Sequence, residues 1–204
     1  MMQPFTRLKA LAAPLYQPNI DTDKLIPHRF LRKPLSAGYR NFLFYNERFT
    51  PEGAEKKDFV LNREPFNRAQ ILVAGANFGC GSTREGAVYA LADFGIRCVI
   101  APSFGDIFYA NCLQNGLLPV VLPEETVGRL AARVELHPGA EIAVDLEAQS
   151  VTAPAGDTHR FDIEPSRKHR LLKGLDDIGV TLEFSGDIER FEKAYRSKLH
   201  WLVP

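Results

Sequence analysis

The sequence predicts an α/β fold with a largely parallel β-α-β-α-β core followed by antiparallel strands. Three observations point there. The apolar runs "AQILVAGAN", "RCVIAPS" and "LLPVVLP" are rich in β-branched residues and read as buried strands. The segments between them carry apolar residues at helical spacing, and that alternation implies right-handed crossovers. Beyond them "GAEIAVDLEAQSVTAPAGDTHRFDIE" alternates and is broken by Gly and Pro, the pattern of antiparallel strands and turns. With 45% hydrophobic residues over 204 positions, a core can be built.

The N-terminal part, to about residue 66, reads as a loop-rich lead-in. Its short apolar patch "LKALAAPL" is interrupted by Pro14 and followed by Pro18, too short for a signal peptide. "PNIDTDKLIP" reads as a turn into a short segment, and "SAGYRNFLFYNERF" as an aromatic cover or partner surface. "FTPEGAEKKDFVLNREPFN" reads as exposed loop with a short strand at residues 59–61. After the first core strand, "STREGAVYALADFG" places Ala87, Ala90, Leu91 and Phe94 on one helical face, with Gly95 as C-cap. "FGDIFYANCLQNG" is a second helix stopped by Gly116. "EETVGRLAAR" is a short helix after the third strand. "SRKHRLLKGLDDIG" is a helix ending at Gly174 or soon after, and "DIERFEKAYRSKLHWL" is a charged amphipathic C-terminal helix. There is no internal repeat or low-complexity linker, so residues 1–204 are expected to form a single domain.

Lys plus Arg and Asp plus Glu number 25 each, so the chain lacks the positive field that nucleic acid needs. An anionic ligand would be held by a few local groups. No apolar run approaches the roughly 20 residues of a membrane helix. The three cysteines are an odd number without a C-x-x-C pair, which suits a reducing cytoplasm. Cys98 and Cys112 sit in apolar surroundings and read as core thiols.

The chemistry concentrates in "GANFGCGSTREGA", residues 75–87. A Gly-rich turn between a buried strand and a helix collects unpaired N–H groups and the positive end of the helix dipole. Ser82 and Glu85 also fit a plain capping box, with Ser82 at N-cap and Glu85 at N3. Two nucleotide motifs fail. Gly81 stands where a P-loop needs Lys, and Arg84 where the dinucleotide fingerprint needs its last Gly. An arginine beside the N–H cluster favours a carboxylate, held through two parallel bonds.

"NFGCGSTRE", followed by "DFGIRCVIAPSFGDIFYANCLQNGLLPV", resembles the small subunit of 3-isopropylmalate dehydratase, a family related to the C-terminal swivelling domain of aconitase. "NIDTDKLIP" and "LLKGLDDIGVTL" match its end motifs in the right order, so the resemblance covers most of the chain. It implies a three-layer β/β/α swivelling domain. It also implies that Ser82 is the catalytic base, assisted by the N–H groups of Thr83 and Arg84, with the Arg84 side chain on a substrate carboxylate. Asp23, with Asp21 in the same "DTD", matches an acidic active-site residue, and an Asx-type turn before Pro27 is the competing reading. Arg32 is either a second carboxylate binder or a solvated surface residue.

The family's [4Fe–4S] cluster is implied to sit on a separate large subunit, in a heterodimer or heterotetramer, with no metal ligand in this chain. Cys80 lies beside the site without being a ligand. The implied substrate is a small hydroxy-dicarboxylate, 2- or 3-isopropylmalate of leucine biosynthesis. One departure stands out: the family commonly reads Arg-Glu-His where this chain reads Arg84-Glu85-Gly86, and its Ser-Ser is Ser82-Thr83. That leaves open a paralogue of the homoaconitase or methylmalate/citraconate type, or a non-catalytic anion-binding regulatory module.

Overall fold

The computed structural model describes residues 2–81, 84–199 and 201; Ser82 and Thr83 lie outside the described residues. Seven strands, β1 (Arg7–Leu15), β2 (Ile71–Ala74), β3 (Cys98–Ala101), β4 (Leu118–Val121), β5 (Glu141–Asp145), β6 (Ser150–Thr152) and β7 (Thr158–Arg160), form a sheet of order β4-β3-β2-β1-β5-β6-β7. β1 to β4 are mutually parallel, and β5 to β7 continue antiparallel. The helices in chain order are α1 (Thr22–Leu25), α2 (Tyr45–Arg48), α3 (Gly86–Phe94), α4 (Asp106–Gln114), α5 (Glu124–Leu136), α6 (Pro165–Lys173), α7 (Asp177–Leu182) and α8 (Ser185–Lys198). α3 and α4 are the two crossovers between β2, β3 and β4, and α5 runs back over β1, β2 and β3.

This is the expected α/β fold. β2 and β3 are buried at every position, as strands covered on both faces must be. α5 presents Val127, Leu130, Ala131 and Val134, spaced three or four apart, to the core. Gly95 ends α3 in the left-handed region, at φ 114°, and its N–H bonds back to Leu91 and Ala92.

The sequence reading needs three corrections. Residues 7–15 are not irregular. They are β1, the strand on which the sheet changes polarity. Pro14 hid it, because proline inside a central strand normally removes a ladder bond. Here β5 pairs with β1 only over residues 7–11, and β2 takes over from Ala12 to Leu15. Ala12 N–H points away from β2, to the Ala140 carbonyl at 3.3 Å. By the two-residue period Pro14 N faces the same way, beyond the end of β5, where no donor is required.

The second correction concerns residues 59–61, expected as a strand. Val60–Asn62 is instead a 3₁₀ turn. It carries Asn62 to Arg48, a buried arginine whose Nε donates to Asn62 Oδ1 at 2.9 Å, while Asn62 Nδ2 donates to the Arg48 and Lys56 carbonyls. The loop-rich segment before β2 is thus held by a side-chain hub in place of sheet pairing.

Third, α3 starts later than the capping-box reading puts it, with Glu85 at N-cap and not at N3; Ser82 lies outside the described residues. The helix begins at Gly86, with no side-chain cap bond. The Glu85 carboxylate turns forward and accepts the Tyr89 hydroxyl at 2.5 Å, one turn on. That bond, then burial, pushes the Tyr89 phenol up to about 12. Arg84 therefore precedes the helix, and its N–H is not one of the helix-terminal donors.

Gly86 has a packing reason. A Cβ there would stand 3.0 Å from Leu31 Cδ2 and 3.6 Å from Tyr39 Cε1, so the glycine lets the loop segment lie close on the start of α3. Gly86→His is expected to overpack this contact and cost about 1–3 kcal/mol, read by chemical denaturation of the isolated chain. Glu85→Gln removes the charge facing Tyr89. The Tyr89 phenol is then expected to titrate nearer the ordinary value of about 10, followed by NMR between neutral and strongly basic pH. An unmoved titration would show that Glu85 is not the cause.

Candidate active site

Three loops leave the carboxyl ends of β1, β2 and β3, the side on which open parallel sheets bind ligands. They are laced together by backbone. Gly79 N–H donates to the Ile20 carbonyl at 2.7 Å, and Thr22 N–H to the Cys80 carbonyl at 3.0 Å. On the other side Phe78 N–H donates to the Ser103 carbonyl at 3.1 Å, and Gly105 N–H to the Phe78 carbonyl at 2.9 Å. Asp21 pairs with Cys80, and Phe78 with Phe104, as parallel bridges that prolong the sheet beyond its strands. Asn77 Nδ2 adds a bond to Asn19 Oδ1 at 2.8 Å.

Gly79 is fixed by this lacing. Its φ is 73°, and a Cβ on it would fall 2.2 Å from the Phe108 ring. Phe108 in turn packs edge-on to Phe78, with centroids 5.5 Å apart. The apolar wedge beneath the turn therefore holds the Gly-rich segment in place, and the chain is delivered to Arg84 from a rigid base.

Arg84 and Asp23 meet. Arg84 Nη1 donates to Asp23 Oδ1 in an ion pair that joins the turn after β2 to α1. The Arg84 side chain is 28% exposed and that of Asp23 59%, so the pair faces outward and a ligand can reach it. Asp21 has a different task. Its Oδ1 accepts the Lys24 N–H at 2.7 Å and caps α1, which sets Asp23 on the first helical turn. The Asx-type reading holds for Asp21, while Asp23 is free of that duty. Arg32 stands exposed on the turn after His28–Phe30, and the structure gives it no bond to Arg84 or Asp23.

An open cleft of about 270 Å³ adjoins the turn, lined by Gly79, Cys80, Gly81, Asp106, Ile107 and Phe108. A roomier cavity, about 380 Å³, lies at the amino ends of the strands and includes Gln3, Arg7, Gln70 and Arg97. There Arg97 grips the N-terminal tail through Gln3 and the Pro4 carbonyl, so this cavity is remote from the site.

The thiols do not assemble into a cluster-binding set. Cys98 and Cys112 are buried in the core, and burial pushes both up, away from the thiolate a metal needs. Cys80 stands apart from them, part-exposed in the turn. Among the described residues no group of three or more His, Cys, Asp or Glu could hold a metal ion. Sequence reasoning missed the direct partnership of Arg84 with Asp23. The signal was available in the two opposite charges of two separate motifs, but only the lacing of the loops shows that they touch.

The profile of the aconitase C-terminal domain matches residues 2–125, and a second profile, LeuD_N, matches residues 128–165. The 3-isopropylmalate dehydratase small subunit of Phenylobacterium zucineum is 54% identical over 203 residues, covering 98% of each chain. That of Parvibaculum lavamentivorans is 51% identical over 201 residues, covering 98% of this chain and all of the other. The crystal structure of 3-isopropylmalate dehydratase (LeuD) from Methanocaldococcus jannaschii superposes with a TM-score of 0.65 at 25% identity, over 91% of this chain and 99% of that one. Identity of about half over nearly the full length, on the same fold, settles the relationship: the chain belongs to the family of 3-isopropylmalate dehydratase small subunits.

Proposed function

We propose that this chain, with a larger cluster-bearing subunit in the cytoplasm, interconverts 2- and 3-isopropylmalate by dehydration and rehydration. A small subunit implies a larger partner, and the aconitase-type domain fits a hydro-lyase. The observation that carries the reading is the Arg84–Asp23 ion pair, because it brings two separate family motifs to one exposed spot. A guanidinium there can take a substrate carboxylate through its remaining N–H groups while Asp23 keeps it oriented.

Ser82, two residues before Arg84, is proposed as the base. It takes the proton from the carbon next to a carboxylate, and the hydroxyl leaves from the neighbouring carbon. Rehydration returns a proton and a hydroxyl with their positions exchanged. An alkoxide at this turn would be stabilised by backbone N–H groups, with Thr83 as one proposed donor, and by the guanidinium two residues on. Arg84 supplies its side chain to that role and not a helix-terminal N–H, since α3 starts later. The [4Fe–4S] cluster, on the partner, supplies the Lewis acid for the leaving hydroxyl.

In the reconstituted enzyme Ser82→Ala is expected to lower kcat by about 10²–10⁴-fold with KM little changed. Normal turnover by this variant would remove Ser82 from the role. Arg84→Lys keeps the charge but loses the planar fork. It is expected to raise KM for isopropylmalate about 10–100-fold, in steady-state assays that also include citrate, homocitrate and methylmalate. A preference for one of those acids over isopropylmalate would reassign the substrate.

A further inference from the structure

The C-terminal arm is the part of the chain that the core does not use. α7 and α8 bury no residue. They still carry large apolar side chains, all exposed: Ile178 and Leu182 on α7, then Phe184, Ile188, Phe191 and Tyr195. The last four are spaced four, three and four apart, the seam of a helix that packs lengthwise on another surface. A 14-residue helix standing alone is marginal in water, so this stripe calls for a cover.

The root of the arm is tied to α6 and to the N-terminal tail. Glu183 binds His169 at 2.8 Å and Lys173 at 2.7 Å, and Arg170 binds Asp177 at 2.6 Å. The Gly174 carbonyl accepts the Met2 N–H at 3.1 Å. The matched profiles stop at residue 165, whereas the Phenylobacterium relative matches 98% of the chain. The arm thus falls within the stretch shared with a small-subunit relative.

The charges beside the stripe give pairing between copies no electrostatic support. With Phe184 and Phe191 at d, and Ile188 and Tyr195 at a, the flanking e and g positions are Ser185, Asp187, Glu192 and Ala194. A parallel pair of copies would set Asp187 against Glu192. An antiparallel pair would set Glu192 against Ser185 and Asp187 against Ala194. Neither orientation gives an ion pair between copies. Within the helix Asp187 meets Arg190 and Glu192 meets Arg196, but such exposed local pairs are weak and can be recruited.

We propose that the α7–α8 arm docks into an apolar groove on the larger partner subunit, with basic side chains on the groove's rim facing Asp187 and Glu192. This rests on the two-subunit reading above. The test mixes the separately purified full-length chain and larger subunit and measures binding by calorimetry. Phe191→Glu is expected to weaken binding at least about tenfold, with thermal unfolding of the isolated chain unchanged. The double variant Asp187→Lys/Glu192→Lys, which touches no apolar side chain, is expected to weaken binding severalfold and flatten its salt dependence. It carries the test should Phe191→Glu loosen the fold.

Undiminished affinity of both variants overturns the docking site and leaves the two-subunit reading standing. No binding by the unaltered chain sinks both. Loss of a self-dimer in Phe191→Glu, with affinity for the larger subunit intact, would assign the stripe to a second copy and refute the proposal.

Discussion

The site depends on a backbone lattice. Segments 19–22, 76–80 and 103–105 continue the hydrogen bonding of β1, β2 and β3 past the ends of the strands. A loop normally ends the order of a strand, whereas here three loops share one ladder. Bonds between main-chain groups are indifferent to charge and ionic strength, so the frame beneath Arg84 and Asp23 does not rest on salt bridges. It requires close approach, and Gly79 over the Phe108 ring shows how close. The aromatic wedge of Phe78, Phe104 and Phe108 turns that approach into stiffness.

On this frame electrostatics becomes local. The chain is formally neutral, so its field neither attracts nor repels a dianionic acid at long range. At the turn the local charge is that of one guanidinium, and Asp23 both orients Arg84 and offsets its charge. Asp21 works one step further back, because the cap it provides to α1 sets where Asp23 stands. The two aspartates of "DTD" are chemically alike and do different work, a division decided by which one reaches the Lys24 N–H.

Legibility in the sequence followed the strength of the periodic signal. β2, β3 and β4 were plain because each is a continuous apolar run between helices with a clear face, and Gly95 and Gly116 marked the helix ends. β1 was obscured by Pro14, whose cost depends on which side its nitrogen faces, a property of pairing and not of composition. Residues 60–62 have the β-branched and apolar content of a strand but serve to present Asn62 to Arg48. The start of α3 was misplaced because Ser82 and Glu85 fit a capping box, while Tyr89 offered Glu85 a competing partner one turn later. Motifs pointed to Arg84 and Asp23 as candidates; that the two touch needed the folded loops. The placement of Ser82 and Thr83 themselves lies outside the described residues.

Pro14 has one more effect. The polarity switch leaves a step in the sheet: past Leu11 the antiparallel half has ended, while β1 runs on toward the site beside β2 alone. At such a step one side of β1 loses its ladder partner while the strand itself continues. A residue with no N–H placed there leaves no main-chain donor stranded. The same proline that concealed the strand in the sequence thus lets β1 outrun its antiparallel neighbour without an unpaired donor at the step.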